Sequence, residues 1–182
     1  MLLISEMTYG FKAQSINEIA NRLSTIDWYK EAGVQDSYAE ETLRSFIESL
    51  QVNEYEIQWI TKEQTAEIIS NLNFHNSKIW GVLNRLPEQL KKKIDEAGQA
   101  DLLSKIIETI PQEVFHVAFQ KAFQQFGEEK QVQFFVGQAM YIAVLICTAE
   151  LAGEVDLFAS LLELLEAGHV PVGLNGNTIY LL

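Results

Sequence analysis

Between Gln138 and Thr148 the chain reads Ala-Met-Tyr-Ile-Ala-Val-Leu-Ile-Cys, nine residues without a charge or an amide. Wound as a helix, this stretch is apolar on every side, and a helix with no polar face has to be surrounded. The helix that contains it, about Glu129–Ala152, is therefore expected at the centre of the fold, with its apolar part over about 132–150. Ala139, Ala143 and Cys147 recur at every fourth position, a ridge of small side chains along which a neighbouring helix approaches closely. A membrane span is the alternative. It needs about 20 apolar residues, and Gln133 and Gln138 interrupt the run from Val132 to Ala149. The reading is a core helix, no membrane, and a cytoplasmic protein. Met1-Leu2-Leu3-Ile4 is not read as a leader, because Glu6 follows at once and no basic segment precedes it.

The rest of the chain has enough apolar material to surround such a helix. Of 182 residues, 48% are hydrophobic and only 10 are Gly and 3 are Pro, which excludes disordered and collagen-like classes. One cysteine excludes an internal disulfide framework. A single domain over 1–182 is expected, with a possible subdomain seam at the polar stretch 71–77.

Amphipathic periodicity predicts several further helices. Ser15-Ile16-Asn17-Glu18, Ser37-Tyr38-Ala39-Glu40 and Thr61-Lys62-Glu63-Gln64 each match a capping box. The first opens a stripe of Ile16, Ile19, Ala20 and Leu23, the second a stripe of Ala39, Leu43, Phe46, Ile47 and Leu50. The third opens a helix burying Ala66, Ile69 and Leu72. A short helix is expected over Asp27–Ala32, ended by Gly33. Pro87 should end one helix and begin the next, which Gly98 closes. Pro111 should separate a helix carrying Leu103, Ile106, Ile107 and Ile110 from one running to Phe126. Asp156 is the expected cap of a last helix burying Phe158, Leu161, Leu162 and Leu165.

The tail changes character. His169–Leu174 and Asn177–Leu182 flank Asn175-Gly176, a preferred hairpin pair, so a C-terminal β-hairpin is expected. Pro171 cannot donate to a ladder, so its strand should be an edge or its N position should face outward. An isolated hairpin is marginal, and Tyr55–Ile60, which alternates Tyr55, Ile57 and Trp59 with polar residues, is the candidate third strand. Asn53 and Glu56 also fit a helix start there, but a short strand or extended turn before Thr61 is the favoured reading. Both faces of the second hairpin strand carry apolar groups, so it should be covered, with Leu181-Leu182 docked. The fold class is thus mainly α, a multi-helix bundle around the apolar helix with a small C-terminal hairpin.

Chemistry is sparse. Glu113 and His116 form one Glu-x-x-His pair on a helix face, a spacing that di-iron bundles use twice with further carboxylates. It occurs once here, so no metal is assigned. Cys147 has no neighbouring cation to lower its pKa and reads as structural. No Gly-x-Ser-x-Gly elbow, Walker loop or dinucleotide fingerprint is present, so no catalytic residue and no cofactor are assigned. Phe115, Phe119, Phe123, Phe126, Phe134, Phe135 and Phe158 crowd the C-terminal half and read as core. So do Trp28, Trp59 and Trp80.

The formal net charge is −12, and 131–182 contains no Lys or Arg. Such a surface repels nucleic acid and anionic lipid. Lys91-Lys92-Lys93 is the one basic run and reads as a solvated helix face. The leading expectation is a non-enzymatic interaction module of adaptor, inhibitor or immunity type. Its partner would be a basic protein, by electrostatic steering, or a second copy of the chain. The alternatives are a helical domain with an apolar, Phe-lined ligand pocket, and an enzyme with dispersed Asp, Glu or His residues. An unpaired hairpin edge would be the preferred place for a partner strand.

Overall fold

The computed structural model describes residues 10–182. The reading of Met1–Glu6 lies outside the described residues. The fold is mainly α, a helical bundle built around one long apolar helix, with a three-stranded sheet near the C-terminus.

Helix α1 spans Gly10–Thr25 and begins five residues before its expected cap. The apolar stripe reaches back to Ala13, 3% exposed, so the packed face extends the helix upstream. Ser15 lies inside it and donates its hydroxyl to Glu150 of α7, the helix Glu129–Ala152, instead of capping. Residues 28–33 form consecutive turns rather than a helix. Tyr29 has φ +64°, a left-handed conformation that a right-handed helix cannot pass through. Its buried ring and hydroxyl hold it there, as described below. Helix α2, Ser37–Ser49, is capped by Asp36, which accepts the Tyr38 N–H at 3.0 Å. Ser37 is its first residue rather than its cap. Glu40 and Arg44 pair along its outer face at 3.0 Å.

The Thr61 capping box forms, on a 3-10 turn over Lys62–Gln64 that leads into α3, Thr65–Ser70. Thr65 rather than Ala66 is the residue it buries. Helices α4 (Lys78–Leu83) and α5 (Leu86–Glu96) meet around Pro87, which sits in the first turn of α5. On α5, Lys91 pairs with Asp95, Lys92 with Glu96 at 3.9 Å and Lys93 with Glu154, so the basic run is neutralised where it stands.

Pro111 does not divide the chain. Helix α6 runs without interruption over Ala100–Phe126. A proline inside a helix costs about 3 kcal/mol and strips the carbonyl four residues back of its partner. Here that carbonyl belongs to Ile107, which is 55% exposed and has access to solvent. Continuity keeps Ile106, Ile110, Val114, Ala118 and Ala122 in one buried stripe. The contact of α6 with α7 is the most extensive between any two elements, and it offsets the proline.

Helix α7, Glu129–Ala152, is the central helix. Ala139, Ala143 and Cys147 are 0–1% exposed. It is long and apolar enough to cross a membrane by length and composition, and 61% of its most apolar window is buried inside the protein. One part of the expectation fails. Tyr141, in the middle of the apolar run, is 51% exposed, because α7 is covered by helices on one side but borders an open cavity on the other. After Gly153, in the left-handed region at φ +76°, a 3-10 turn over Val155–Phe158 leads to α8, Ala159–Glu166. Asp156 lies within that turn and does not cap α8, whose N-cap position is Phe158.

Strands β1 (Glu56–Trp59), β2 (Pro171–Asn175) and β3 (Thr178–Leu181) form a sheet in the order β1-β3-β2. β3 is central, antiparallel to β2 and parallel to β1, with Ile57 opposite Ile179. The hairpin turns one residue later than expected. Asn175 pairs with Thr178, and the loop residues are Gly176 and Asn177. Only Gly176 has positive φ, at +58°. That is the sign pattern of a type II′ turn, which needs glycine first, rather than type I′. Pro171 lies on edge strand β2, beside a register shift against β3, where its missing N–H leaves no ladder gap.

The outer edge of β2 is not free for a partner strand. The Asn73 N–H donates to Leu174 O at 3.0 Å, and Asn73 O accepts from Gly176 N–H at 2.9 Å. Gln138 of α7 donates its Nε2 to Pro171 O at 2.6 Å and to Val172 O at 3.2 Å. The 71–77 segment thus lies against the sheet, where Leu72 covers Gly173 so closely that a Cβ there would stand 2.8 Å from its methyl carbons.

Candidate functional site

A cavity of about 470 Å³ opens between α7, α4 and the hairpin. The periodicity of α7 builds one wall. Phe134, Gln138, Tyr141 and Leu145 stand three or four residues apart and share a face. Trp80 and Leu83 of α4 and Val172 and Leu174 of β2 add further walls, and Phe46 and Phe158 close the bottom with rings 5.6 Å apart. Phe74, on the 71–77 segment, packs over Trp80 at 4.7 Å and is 38% exposed. With Tyr141 it stands where solvent meets the cavity.

Among the described residues that line the cavity, none is Lys, Arg, His, Asp or Glu. Polar chemistry is confined to the Gln138 amide and the Tyr141 hydroxyl. Partial burial raises the Tyr141 pKa above the ordinary phenol value, so it stays protonated and neutral at physiological pH. Gln138 is held by its two bonds to β2 carbonyls, while its Oε1 is buried without a hydrogen-bond partner.

The structure divides the seven phenylalanines differently from the sequence reading. Phe135 and Phe158 are 0% and 2% exposed, and Phe126 and Phe134 are half-buried. Phe115, Phe119 and Phe123 are not core. They are 40%, 44% and 59% exposed and form a ridge along α6, each ring stacked on the next at 5.8 and 6.2 Å. The reason lies one position away. Val114, Ala118 and Ala122 take the buried stripe against α7, where backbones approach closely and a phenyl ring has no room. The ridge does not reach the cavity, whose aromatic residues come from Phe46, Phe74, Trp80, Phe134, Tyr141 and Phe158. Phe46, Phe74 and Trp80, from α2, the 71–77 segment and α4, carried no signal of convergence. Trp28 is buried, with its Nε1 donating to Leu23 O at 3.3 Å. Trp59 is half-buried and donates to Glu40 at 3.2 Å.

Glu113 and His116 lie on α6, with His116 exposed beside Phe115. Among the described residues no group of three or more His, Cys, Asp or Glu side chains is placed to hold a metal ion. Cys147 is fully buried, and burial first, with the Glu113 and Glu150 carboxylates adding to it, pushes its thiol pKa up to about 12. It is an inert thiol in the native fold.

A buried histidine also lies outside the cavity. His169 is 2% exposed, edge-on to Trp59 at 5.4 Å, with Nε2 3.9 Å from Asp36 Oδ2 and Nδ1 unpartnered. Burial lowers its pKa below the ordinary histidine value, against the opposing pull of the Leu182 backbone, Asp36 and Glu31. The unfolded chain therefore takes up this proton first as pH falls, so the neutral ring's contribution to stability is present above about pH 6.5 and is lost below it. Urea unfolding at about pH 7.5 and about pH 5.5 is expected to show a drop in stability that is smaller in His169→Gln. An equal drop in both proteins would show that His169 is not the group responsible.

No protein-family model, curated protein or solved structure matches the chain.

Proposed function

We propose that this protein binds a small apolar molecule in the cavity between α7 and the hairpin. The observation that supports this most directly is the cavity itself. Its volume of about 470 Å³ falls within the range of small-molecule sites, which are mostly apolar with a few placed polar groups. Nile red, a neutral dye whose emission rises in apolar surroundings, is expected to bind saturably with one site per chain. Leu83→Trp, at a half-buried wall position, fills part of the space and should weaken binding at least tenfold with the thermal midpoint retained. Dye binding that is weak, unsaturable or indifferent to Leu83→Trp would count against a ligand site.

A second reading, self-association, is supported by the Phe115–Phe119–Phe123 ridge. Large exposed apolar ridges are uncommon on monomers. A ridge at spacing four packs against its own copy when two helices cross about a twofold axis. Sedimentation at rising protein concentration should show a dimer that Phe119→Glu abolishes. This exposed position should tolerate the change within about 0.5 kcal/mol of stability. A wild-type protein that stays monomeric at high concentration would remove this reading.

A further inference from the structure

We propose that the cavity is a site for uncharged hydrophobic compounds, held by the apolar area they bury and not by a recognised head group; this rests on the reading of the cavity as a ligand site. Two independent features define the class. The first is the lack of charge in the walls. Among the described residues that line the cavity, none offers a cation to a carboxylate or phosphate, or an anion to an amine. A charged group drawn in would lose its hydration without a countercharge, a cost far above that for a neutral polar group. The net charge of −12 acts from outside, through water and salt. Exposed charges separated by more than about 10 Å are largely screened there. Local desolvation is therefore the larger effect, and it rejects cations as well as anions.

The second feature is that the polar groups of the walls are already engaged or closed off. Gln138 Nε2 donates to Pro171 O at 2.6 Å and to Val172 O at 3.2 Å, and its Oε1 is buried. Neither end of that amide is open to a bound molecule. The same two bonds occupy carbonyls of β2, and a third, Leu174 O, accepts the Asn73 N–H at 3.0 Å. Tyr141 stands at the mouth, 51% exposed, and its neutral hydroxyl offers no countercharge. A ligand therefore meets hydrocarbon and aromatic rings, from Phe46, Trp80, Phe134, Leu145 and Phe158 among others. Its affinity should follow the apolar area it buries. The expected class is neutral hydrocarbons, ethers and esters, and it excludes fatty acids and other ionised amphiphiles. His75 lies in an adjoining hollow that shares Leu72, Phe74 and Trp80 with the cavity, so it is the side chain through which a head group at the mouth would be held.

The experiment is a matched ligand series at neutral pH, measured by displacement of Nile red and by calorimetry: naphthalene, 2-methylnaphthalene, methyl 2-naphthoate, 2-naphthoate and 2-naphthylmethylammonium. All share one body. Binding of 2-methylnaphthalene is expected to be about fourfold tighter than that of naphthalene, the effect of one more buried carbon. The two ions should each bind at least about tenfold more weakly than methyl 2-naphthoate. Raising salt to about 0.5 M should leave both penalties in place, since screening acts on distant charges and not on desolvation. Leu83→Lys puts a cation at a half-buried wall position. It should narrow the gap between 2-naphthoate and its methyl ester at least about threefold and widen the gap for the ammonium. The proposal is overturned if either ion binds as well as the ester, if the added salt abolishes the penalty for 2-naphthoate, or if a folded Leu83→Lys leaves both gaps unchanged. Tight 2-naphthoate binding that His75→Gln removes also overturns it, by placing a head group at the mouth. The wild-type series decides the matter even if Leu83→Lys fails to fold. Saturable Nile red binding that no neutral member displaces, or ion binding equal to that of the ester, refutes this inference and leaves the ligand site standing. Failure of Nile red and of the whole series to bind refutes both.

Discussion

A chain truncated after Gly168 is expected not to fold cooperatively. The 14 residues removed, 169–182, include the central strand of the sheet, and β1 loses its pairing with β3 when they go. Val170, Val172, Leu174, Ile179, Leu181 and Leu182 are 0–4% exposed, so the segment is part of the core rather than an appendage. Each such side chain contributes about 1.5–3 kcal/mol of burial, and together the six are comparable to the whole net stability of a typical domain, about 5–15 kcal/mol. The truncation also removes one wall of the cavity and the carbonyls that hold Gln138. Far-UV circular dichroism through a thermal ramp should show a broad, shallow change in place of a sigmoidal transition, with Nile red binding lost. A truncated chain that unfolds cooperatively near the wild-type midpoint would show that the helices fold without the hairpin.

Replacing Phe135 by alanine has the second largest expected effect, a loss of about 3–5 kcal/mol. Phe135 is 0% exposed and sits among three aromatic rings. Its ring stacks on Phe126 at 4.2 Å, meets Tyr29 at 5.2 Å and meets Phe134 edge-on at 5.4 Å. Its carbonyl accepts the Tyr29 hydroxyl at 2.7 Å. Tyr29 is the residue at φ +64° that turns the chain from α1 towards α2, and burial raises its phenol pKa far above the ordinary value. Alanine leaves a cavity where α6, α7 and this turn meet, and removes the ring that helps keep Tyr29 in a strained conformation. Urea denaturation should show the midpoint falling with little change in slope. A loss below about 1.5 kcal/mol would mean that the neighbouring rings collapse into the space.

The comparison of Phe135 with Phe119 shows where the sequence stops speaking. Both are phenylalanines on long helices with apolar neighbours, yet one is in the core and the other is 44% exposed. Periodicity on α6 offers two adjacent stripes, Val114-Ala118-Ala122 and Phe115-Phe119-Phe123. They are one residue apart, about 100° around the helix. Hydrophobicity alone favours the phenylalanine stripe. The deciding quantity is the width of the space beside α7, and that belongs to the assembled pair of helices. The small ridge on α7 was a clue to it, since close approach needs small residues on both partners.

What the sequence by itself determined follows from local, short-range constraints. An apolar stretch with no polar face had to become the central helix α7. The Asn175-Gly176 pair between two apolar runs called for a chain reversal there, which falls one residue later, and Tyr55–Ile60 supplied the strand such a hairpin needs. What only the tertiary structure decided depends on energies shared between distant segments. Pro111 ends a helix by local rules and is carried through here by the packing of α6 on α7. Tyr141 belongs to an apolar run and is exposed, because it borders the cavity rather than a packed helix. The cavity draws Phe46, Trp80, Gln138 and Val172 from four elements separated along the chain. No period or spacing records that convergence, since each of these residues satisfies its own element's pattern equally well with or without an open space beside it.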